Sequence, residues 1–149
     1  MEIRAIEPRH ALVWAAMRSR LWPGADPGDL EREALAFFSG TPPPVMTIAF
    51  LAQGDRAEPI GFVEASLRAF ADGCDSMPVP HLEGWYVEPS ARGRGAGRAL
   101  LAAVEDWARA RGFTEIASDT ETHNAASATA HEACGYVEVE RLIKFRKAL

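Results

Sequence analysis

Apolar and polar positions along this chain follow two periods, and the switches between them mark out its elements. Residues 2–6 alternate and predict a short first strand. Pro8 opens a helical stretch to about Arg20, with Val13, Ala16 and Met17 on one face, and Trp22-Pro23-Gly24 breaks it. Asp26-Pro27 reads as the cap and first-turn proline of a second helix, in which Leu30, Ala34, Phe37 and Phe38 recur at helical spacing. Gly40 and the prolines at 42–44 end it. Val45–Ala52 and Ile60–Phe70 predict two strands joined through Gly54-Asp55 as a hairpin, and residues 71–80 have loop chemistry. His81–Val87 is a further strand whose alternation places His81, Glu83, Trp85 and Val87 on one face, and Pro89 stops it.

Beyond a loop rich in glycine and arginine, a helix from about Gly97 to Arg111 turns Leu100, Leu101, Val104, Trp107 and Ala108 inward. Gly112 punctuates, and Thr114–Ser118 predicts a short strand. A helix over Asn124–Ala133 follows, with Gly135 placed as its C-terminal cap. The tail from Tyr136 to Arg146 alternates, with Val137, Val139, Ile143 and Phe145 on one side, and predicts a last strand. The order βααβββαβαβ implies an α/β (mixed α+β) fold with a central mixed, mostly antiparallel twisted sheet flanked by helices.

Length and composition narrow the class without naming a function. At 149 residues the chain is expected to form one domain, 1–149, with a core that needs no metal or disulfide. With 48% hydrophobic and 25% charged residues, disorder is excluded as the main state. No apolar run reaches the ~18 residues of a membrane span, and Met1-Glu2-Ile3-Arg4 does not begin a secretory signal. A net charge of -5 disfavours broad phosphate-backbone binding, so neither nucleic acid nor membrane is expected as a partner. Cys74 and Cys134 form no CxxC pair, and His10, His81, His123 and His131 lack ligand spacing. Reduced thiols in a cytoplasm, and no metal site, are the expectation.

The segment Arg92-Gly93-Arg94-Gly95-Ala96-Gly97-Arg98 lies between a strand and a helix. Glycines there let the main chain approach a ligand, and successive N–H groups at a helix start make a positive concavity suited to phosphate. A P-loop would require Lys-Ser/Thr after the last glycine, where Arg98-Ala99 stands. A dinucleotide fingerprint would require GxGxxG in an early βαβ unit, whereas these glycines are spaced GxGxG after a hairpin. Glu115 lies at the distance such a fingerprint uses, so a dinucleotide site remains a minor alternative, and a flexible basic turn is the plainest one.

Val87-x-Pro89-x-x-Arg92-Gly93-x-Gly95-x-Gly97-x-x-Leu100 resembles the acetyl-CoA signature of the GCN5-related N-acetyltransferases. Downstream, Asn124-x-x-Ser127-x-x-x-His131-x-x-x-Gly135-Tyr136 resembles the second signature of that superfamily, and the element order agrees with it over essentially the whole chain. Leu21-Trp22-Pro23, Glu64-Ala65-Ser66-Leu67-Arg68, Gly73-Cys74-Asp75, Leu82-Glu83-Gly84, Ala117-Ser118-Asp119-Thr120 and Glu138-Val139-Glu140-Arg141 look like the aminoglycoside 6'-N-acetyltransferase branch. The resemblance implies acetyl-CoA as co-substrate, transfer to the 6'-amine of aminoglycosides, resistance to those drugs, and a homodimer. Acetylation of another amine, such as a polyamine or a protein N-terminus, and a non-catalytic CoA-binding module are the competing readings.

On that resemblance, main-chain amides from Arg94 to Arg98, within the loop Arg92, Gly93, Arg94, Gly95, Ala96, Gly97 and Arg98, would hold the pyrophosphate. Trp85, Tyr86 and Val87 would pair with the pantetheine arm, a backbone N–H near Val87 would polarise the carbonyl, and Asn124 would bind pantetheine. An alkyl ammonium with a pKa near ~10.4 is neutral in under roughly 0.1% of molecules at pH 7, so a proton acceptor is required. Glu83 is the first candidate, against a structural ion pair, and Asp119 the second, against a helix-capping role. His131 occupies the position where many members carry a tyrosine that protonates the leaving thiolate; a histidine that only packs is the alternative. A polycationic substrate calls for carboxylates and ring faces, here Asp72, Asp75, Glu83, Asp119, Glu138 and Glu140, with Trp22 and Phe70 as walls. Trp22 equally suits a core anchor after the first helix. Glu140 would act in the neighbouring protomer's site.

Overall fold

The computed structural model describes residues 1–40 and 46–149; the prolines at 42–44 and the predicted strand start at Val45 lie outside them. Five strands form one sheet in the order β1 (Glu2–Ala5), β2 (Met46–Gln53), β3 (Pro59–Arg68), β4 (Val79–Val87), β5 (Ala117–Ser118). The first four pair antiparallel, and β5 pairs parallel to β4 through His81↔Ala117 and Leu82↔Ser118 alone. The connection into β5 runs through α3 (Ala96–Ala110), the crossover that a parallel pair requires.

α1 (Ala11–Leu21) and α2 (Pro27–Ala36) cover one face of the sheet. Asp26 caps α2 by accepting from the Asp29 amide at 3.0 Å, with Pro27 in the first turn, as the sequence predicts. Their core joins Trp14, Met17 and Ala34 to Ala49, Leu51, Phe62 and Tyr86. On the opposite face, Leu100, Leu101 and Val104 of α3 pack on Ala52, Val63, Ala65 and Leu82. α4 (Ala125–Ala133) joins that side, where Cys134 and Tyr136 pack against the same cluster.

Three expectations are corrected. The buried stripe of α1 is Ala11, Trp14, Ala15, Met17 and Arg18, while Ala16 is exposed. The stripe rotates because Arg18 is drawn inward by a buried carboxylate on β3. Second, β4 does not keep His81, Glu83, Trp85 and Val87 on one face. Its register against β3 slips between Glu64↔Gly84 and Ala65↔Leu82, leaving Glu83 as an extra residue in a bulge. Glu83 therefore turns to the α1–α2 face with Ser66 and His81, while Trp85 and Val87 pack with the α3 cluster.

Third, the tail after Tyr136 carries no strand, although its alternation is intact. Val137, Val139, Ile143 and Phe145 are 80%, 63%, 78% and 93% exposed. A strand exists only as one member of a ladder, and the two-residue β5 at the sheet's edge offers this tail no ladder within its own chain. Glu138 and Glu140 thus share no strand face.

Candidate active site

β4 and β5 part after Leu82, so Glu83–Val87 has no strand partner on its β5 side among the described residues. The Glu88 amide donates to Ile60 of β3 at 2.8 Å. Main-chain groups alternate in direction along a strand, so those of Val87 and Trp85 point away from β3, into the gap. At the far end of the gap, two short steps bring the chain to α3. A 3-10 turn at Pro89–Ala91 leads into the loop, and Arg92 donates to the Val87 carbonyl at 2.8 Å.

Gly93 and Gly95 adopt φ of +72° and +86°, a left-handed conformation that side-chain-bearing residues rarely take. Open space surrounds both, so conformation and not crowding requires glycine there. Gly97 differs, since a Cβ on it would lie 3.0 Å from the Trp85 ring, whose Nε1 donates to the Gly97 carbonyl at 3.2 Å. The first α-helical bond of α3 runs from Ala99 to Gly95, leaving the amides of Ala96, Gly97 and Arg98 outside the helix's own ladder. Arg92, Arg94 and Arg98 are exposed around this positive helix start. Arg98 donates to the Ala133 carbonyl at 2.7 Å, fastening the loop to the end of α4. The cradle has the shape and polarity that a pyrophosphate needs.

Glu83 sits at the mouth of the gap, 18% exposed, in a bidentate pair with Arg68 at 2.8 and 2.7 Å. The Ser66 hydroxyl donates to the same carboxylate. Burial alone would favour protonation of Glu83, but the His81 ring, Arg68 and Ser66 outweigh it and hold the group well below the usual carboxylate range. Asp119, 71% exposed just past β5, lies 3.9 Å from Arg68 Nη1 and 3.5 Å from His81 Nε2. It caps no helix; Asn124 does, accepting from the Ser127 amide at 3.1 Å at the start of α4. That leaves the Asn124 side-chain amide group for any ligand.

Trp22 follows α1 and is only half-buried. Its ring lies 5.2 Å from the Arg18 guanidinium, which also lies 5.3 Å from the Trp14 ring. Arg18 in turn pairs with Glu64, 1% exposed, at 3.1 Å and with Glu33 at 3.0 Å, and Trp14 Nε1 donates to Glu64 at 2.8 Å. Burial pushes the Glu64 carboxyl up from 4.5 to about 7, against the pull of Arg18 and Trp14. A Cβ on Gly84 would meet the Trp22 ring tip at 2.9 Å, so glycine lets Trp22 close over the strand beside Glu83. The core-anchor and pocket-wall readings of Trp22 are therefore one arrangement.

His131 is held on three sides. Its Nδ1 lies 2.7 Å from the Ser127 carbonyl and its Nε2 2.8 Å from the Ser118 hydroxyl. The carbonyl can only accept, which assigns the proton to Nδ1 in the neutral ring and makes Ser118 the donor to Nε2. Edge contacts to Trp85 at 5.3 Å and Tyr136 at 5.4 Å complete the enclosure. Tyr86 itself is buried in the α1–α2 core and donates to Glu88 at 3.0 Å, and its main chain is turned to Phe62 of β3. Of the three expected pantetheine contacts, Trp85 and Val87 therefore face the gap and Tyr86 does not.

Phe70, 64% exposed, and Asp72 lie on the loop after β3. Glu115 accepts from the amides of Asp75 at 3.0 Å and Ser76 at 2.6 Å, which fixes that loop and accounts for the carboxylate that the dinucleotide alternative required. Val139 reaches the same loop, where a Cβ on Gly73 would lie 2.5 Å from it. Glu138 pairs with Arg141, and no hydrogen bond or ion pair links Glu140 to the other described residues. Sequence reasoning missed Arg18, Glu64, Ser66, Arg68 and His81. The i, i+2 run Glu64, Ser66, Arg68 on β3, facing a histidine and a glutamate on β4, was the available signal.

The family model for the Acetyltransferase (GNAT) family matches residues 11–136. This chain belongs to that family. It is 44% identical to an aminoglycoside N(6')-acetyltransferase type 1 of Klebsiella aerogenes, over 99% of this chain and 96% of the relative. Among solved structures, AAC(6')-Iy bound to the bisubstrate analogue CoA-S-monomethyl-acetylneamine superposes with a TM-score of 0.88 at 37% identity, over 99% and 98% of the two chains. An aminoglycoside 6'-N-acetyltransferase AAC(6')-IG of Acinetobacter haemolyticus also reaches 0.88, at 29% identity over 100% and 99%. The mixed, mostly antiparallel sheet with its flanking helices is thus the fold of the GNAT family.

Proposed function

We propose that this protein transfers the acetyl group of acetyl-CoA to the 6'-amine of aminoglycosides, and that this inactivation of the drug confers resistance. The observation that carries the reading is the 44% identity, over nearly the whole of both chains, to a protein named for that reaction. The open edge of β4 and the amides that start α3 fit a CoA pyrophosphate and pantetheine arm, and the free side-chain amide of Asn124 at the start of α4 is a further candidate for the pantetheine. Bound there, acetyl-CoA supplies an activated thioester carbonyl.

The chain's own groups do the rest. The Val87 N–H, turned into the gap, is the candidate donor to the carbonyl oxygen as negative charge develops on it. Glu83 and Asp119 hold the substrate ammonium, with Trp22, Phe70 and Asp72 around it. Glu83 is the first group to receive the ammonium proton; His131, whose ring proton is turned to the Ser127 carbonyl, walls the gap beside Trp85, and the amine's second proton neutralises the leaving sulfur. Direct transfer in a ternary complex, without an acyl-enzyme, is supported by Cys74, whose thiol is pushed up by burial and by Glu115 and Asp75.

Incubation with kanamycin and acetyl-CoA, reading thiol release and mapping the modified nitrogen, tests the reading. Acetyl at the 6'-nitrogen is expected, with a preference over 6'-hydroxyl aminoglycosides. Absence of that preference, with turnover of polyamines or peptide N-termini, would shift the assignment to another amine. Binding of CoA without turnover of any amine would make the protein a non-catalytic CoA-binding module.

We read the chain as one domain, because both cores share one sheet, and as a cytoplasmic homodimer. The two free thiols support the compartment, and the exposed apolar alternation from Val137 to Phe145 supports pairing between two copies. Such pairing is the arrangement in which Glu140 enters the neighbour's pocket. Replacing Ile143 and Phe145 together by glutamate is expected to convert a dimer to monomers in sedimentation, and an unchanged mass would refute this pairing.

A further inference from the structure

His81 is 3% exposed, yet its Nδ1 has no hydrogen-bond partner among the described residues. An orphaned buried nitrogen is uncommon and calls for an explanation. It lies beneath the candidate pocket, with Nδ1 3.5 Å from Glu83 Oε1 and Nε2 3.5 Å from Asp119 Oδ2. The groups around it are Ser66 and Arg68 from β3, Glu83 from β4 and Asp119 from the segment after β5. Glu64 stands two residues along β3 from Ser66 and is engaged by Arg18 of α1.

We propose that His81 is the terminal acceptor of the proton shed by the attacking ammonium, receiving it through Glu83. The proposal rests on the reading of this protein as an amine acetyltransferase. Glu83 alone is a poor resting place for a proton, because Arg68 and Ser66 already engage its carboxylate. The charges balance with His81 as the acceptor. With a neutral imidazole, Arg68, Glu83 and Asp119 leave the cluster one negative charge, which one substrate ammonium cancels. Moving a proton from that ammonium to Nδ1 keeps the sum unchanged, so no buried charge is left uncompensated.

In this step an N–H bond of the ammonium breaks, an Nδ1–H bond forms, and Glu83 ends as it began. The freed lone pair attacks the thioester carbonyl, the C–S bond breaks with its electron pair on sulfur, and the second amine proton neutralises that sulfur. Asp119, exposed and next to Nε2, is the route by which the imidazolium returns its proton to water.

The test is the pH profile of kcat with kanamycin and acetyl-CoA for wild type and His81→Gln. Wild type is expected to lose activity on the acid side, because a proton acceptor must be empty when substrate arrives. In His81→Gln that limb should vanish and the plateau kcat fall about 100-fold, the scale of a lost acid–base group. The KM for each substrate should change less than about threefold, which a role in packing alone would not predict. A kcat within about twofold of wild type, with the same acid limb, overturns the proposal. Should His81→Gln not fold, Asp119→Asn on the exposed side decides. Loss of the carboxylate beside Nε2 should displace the acid limb to lower pH, and an unmoved limb overturns the relay. Wild type without turnover of any amine would refute the underlying function, an outcome distinct from failure of the relay.

Discussion

The buried Glu64 makes stability depend on pH in a direction opposite to that of most ion-paired carboxylates. Its carboxyl rises from 4.5 to about 7 on folding because burial outweighs Arg18 and Trp14. Between those values the native state holds a proton that the unfolded chain has released, so stability falls as pH rises. The full effect is on the order of 3 kcal/mol, most of it lost between pH 5 and pH 8. Domains are commonly stable by only about 5–15 kcal/mol, so the loss is large enough to measure. Glu64→Gln keeps an acceptor for Trp14 and Arg18 but does not titrate. Near pH 5, where native Glu64 itself carries the proton, the two proteins should be about equally stable. Urea unfolding of both proteins at pH 5, 6, 7 and 8 isolates the group, because every other titration cancels in the difference. Wild type should fall steadily behind Glu64→Gln as pH rises, by roughly 2–3 kcal/mol at pH 8. A difference that stays flat, or that turns in favour of wild type as pH rises, would refute the account of burial dominating at Glu64.

Three further outcomes follow from the geometry. Gly61→Ala places a Cβ 2.6 Å from the Tyr86 carbonyl on the neighbouring strand, where neither backbone can yield cheaply, and should cost about 2 kcal/mol in urea unfolding. Gly95→Ala meets no atom but must hold φ near +86° at the start of α3, costing about 1 kcal/mol; CoA affinity by calorimetry should drop while the KM for kanamycin holds. Arg68→Gln removes the cation that competes with substrate for Glu83 and Asp119, so the KM for kanamycin should fall, most clearly at low salt, and a rise in KM would contradict that competition.

The fold was legible where a local pattern determines it. The Asp26-Pro27 cap, the hairpin of β2 and β3 and the glycine loop follow from positions that local chemistry fixes. What escaped depends on partners far along the chain. Arg18 reads as a polar-face residue until Glu64, 46 positions away, is known to lie beneath it. Glu83 reads as a neighbour of Trp85 until the register slip against β3 turns it to the other face. The bulge belongs to the pairing of two strands, and neither segment encodes it alone. In the tail, the period-2 pattern is present, but a pattern specifies a face and not the neighbour that completes a ladder. Among the candidate residues, the glycines were legible from their spacing, whereas Ser66, Arg68 and His81 required the strands to be laid side by side.

The grip of Glu115 on Asp75 and Ser76 falls on backbone amides, and that choice of atoms bears on how this protein can change. A loop anchored by its peptide groups keeps its path when side chains along it are exchanged, since every residue but proline offers the same N–H. Positions 70–72 therefore lie open to mutational drift at little folding cost, whereas Gly73, at φ +75° and against Val139, does not. A shift in the range of drugs accepted should arise there first, while Glu115 stays under purifying pressure.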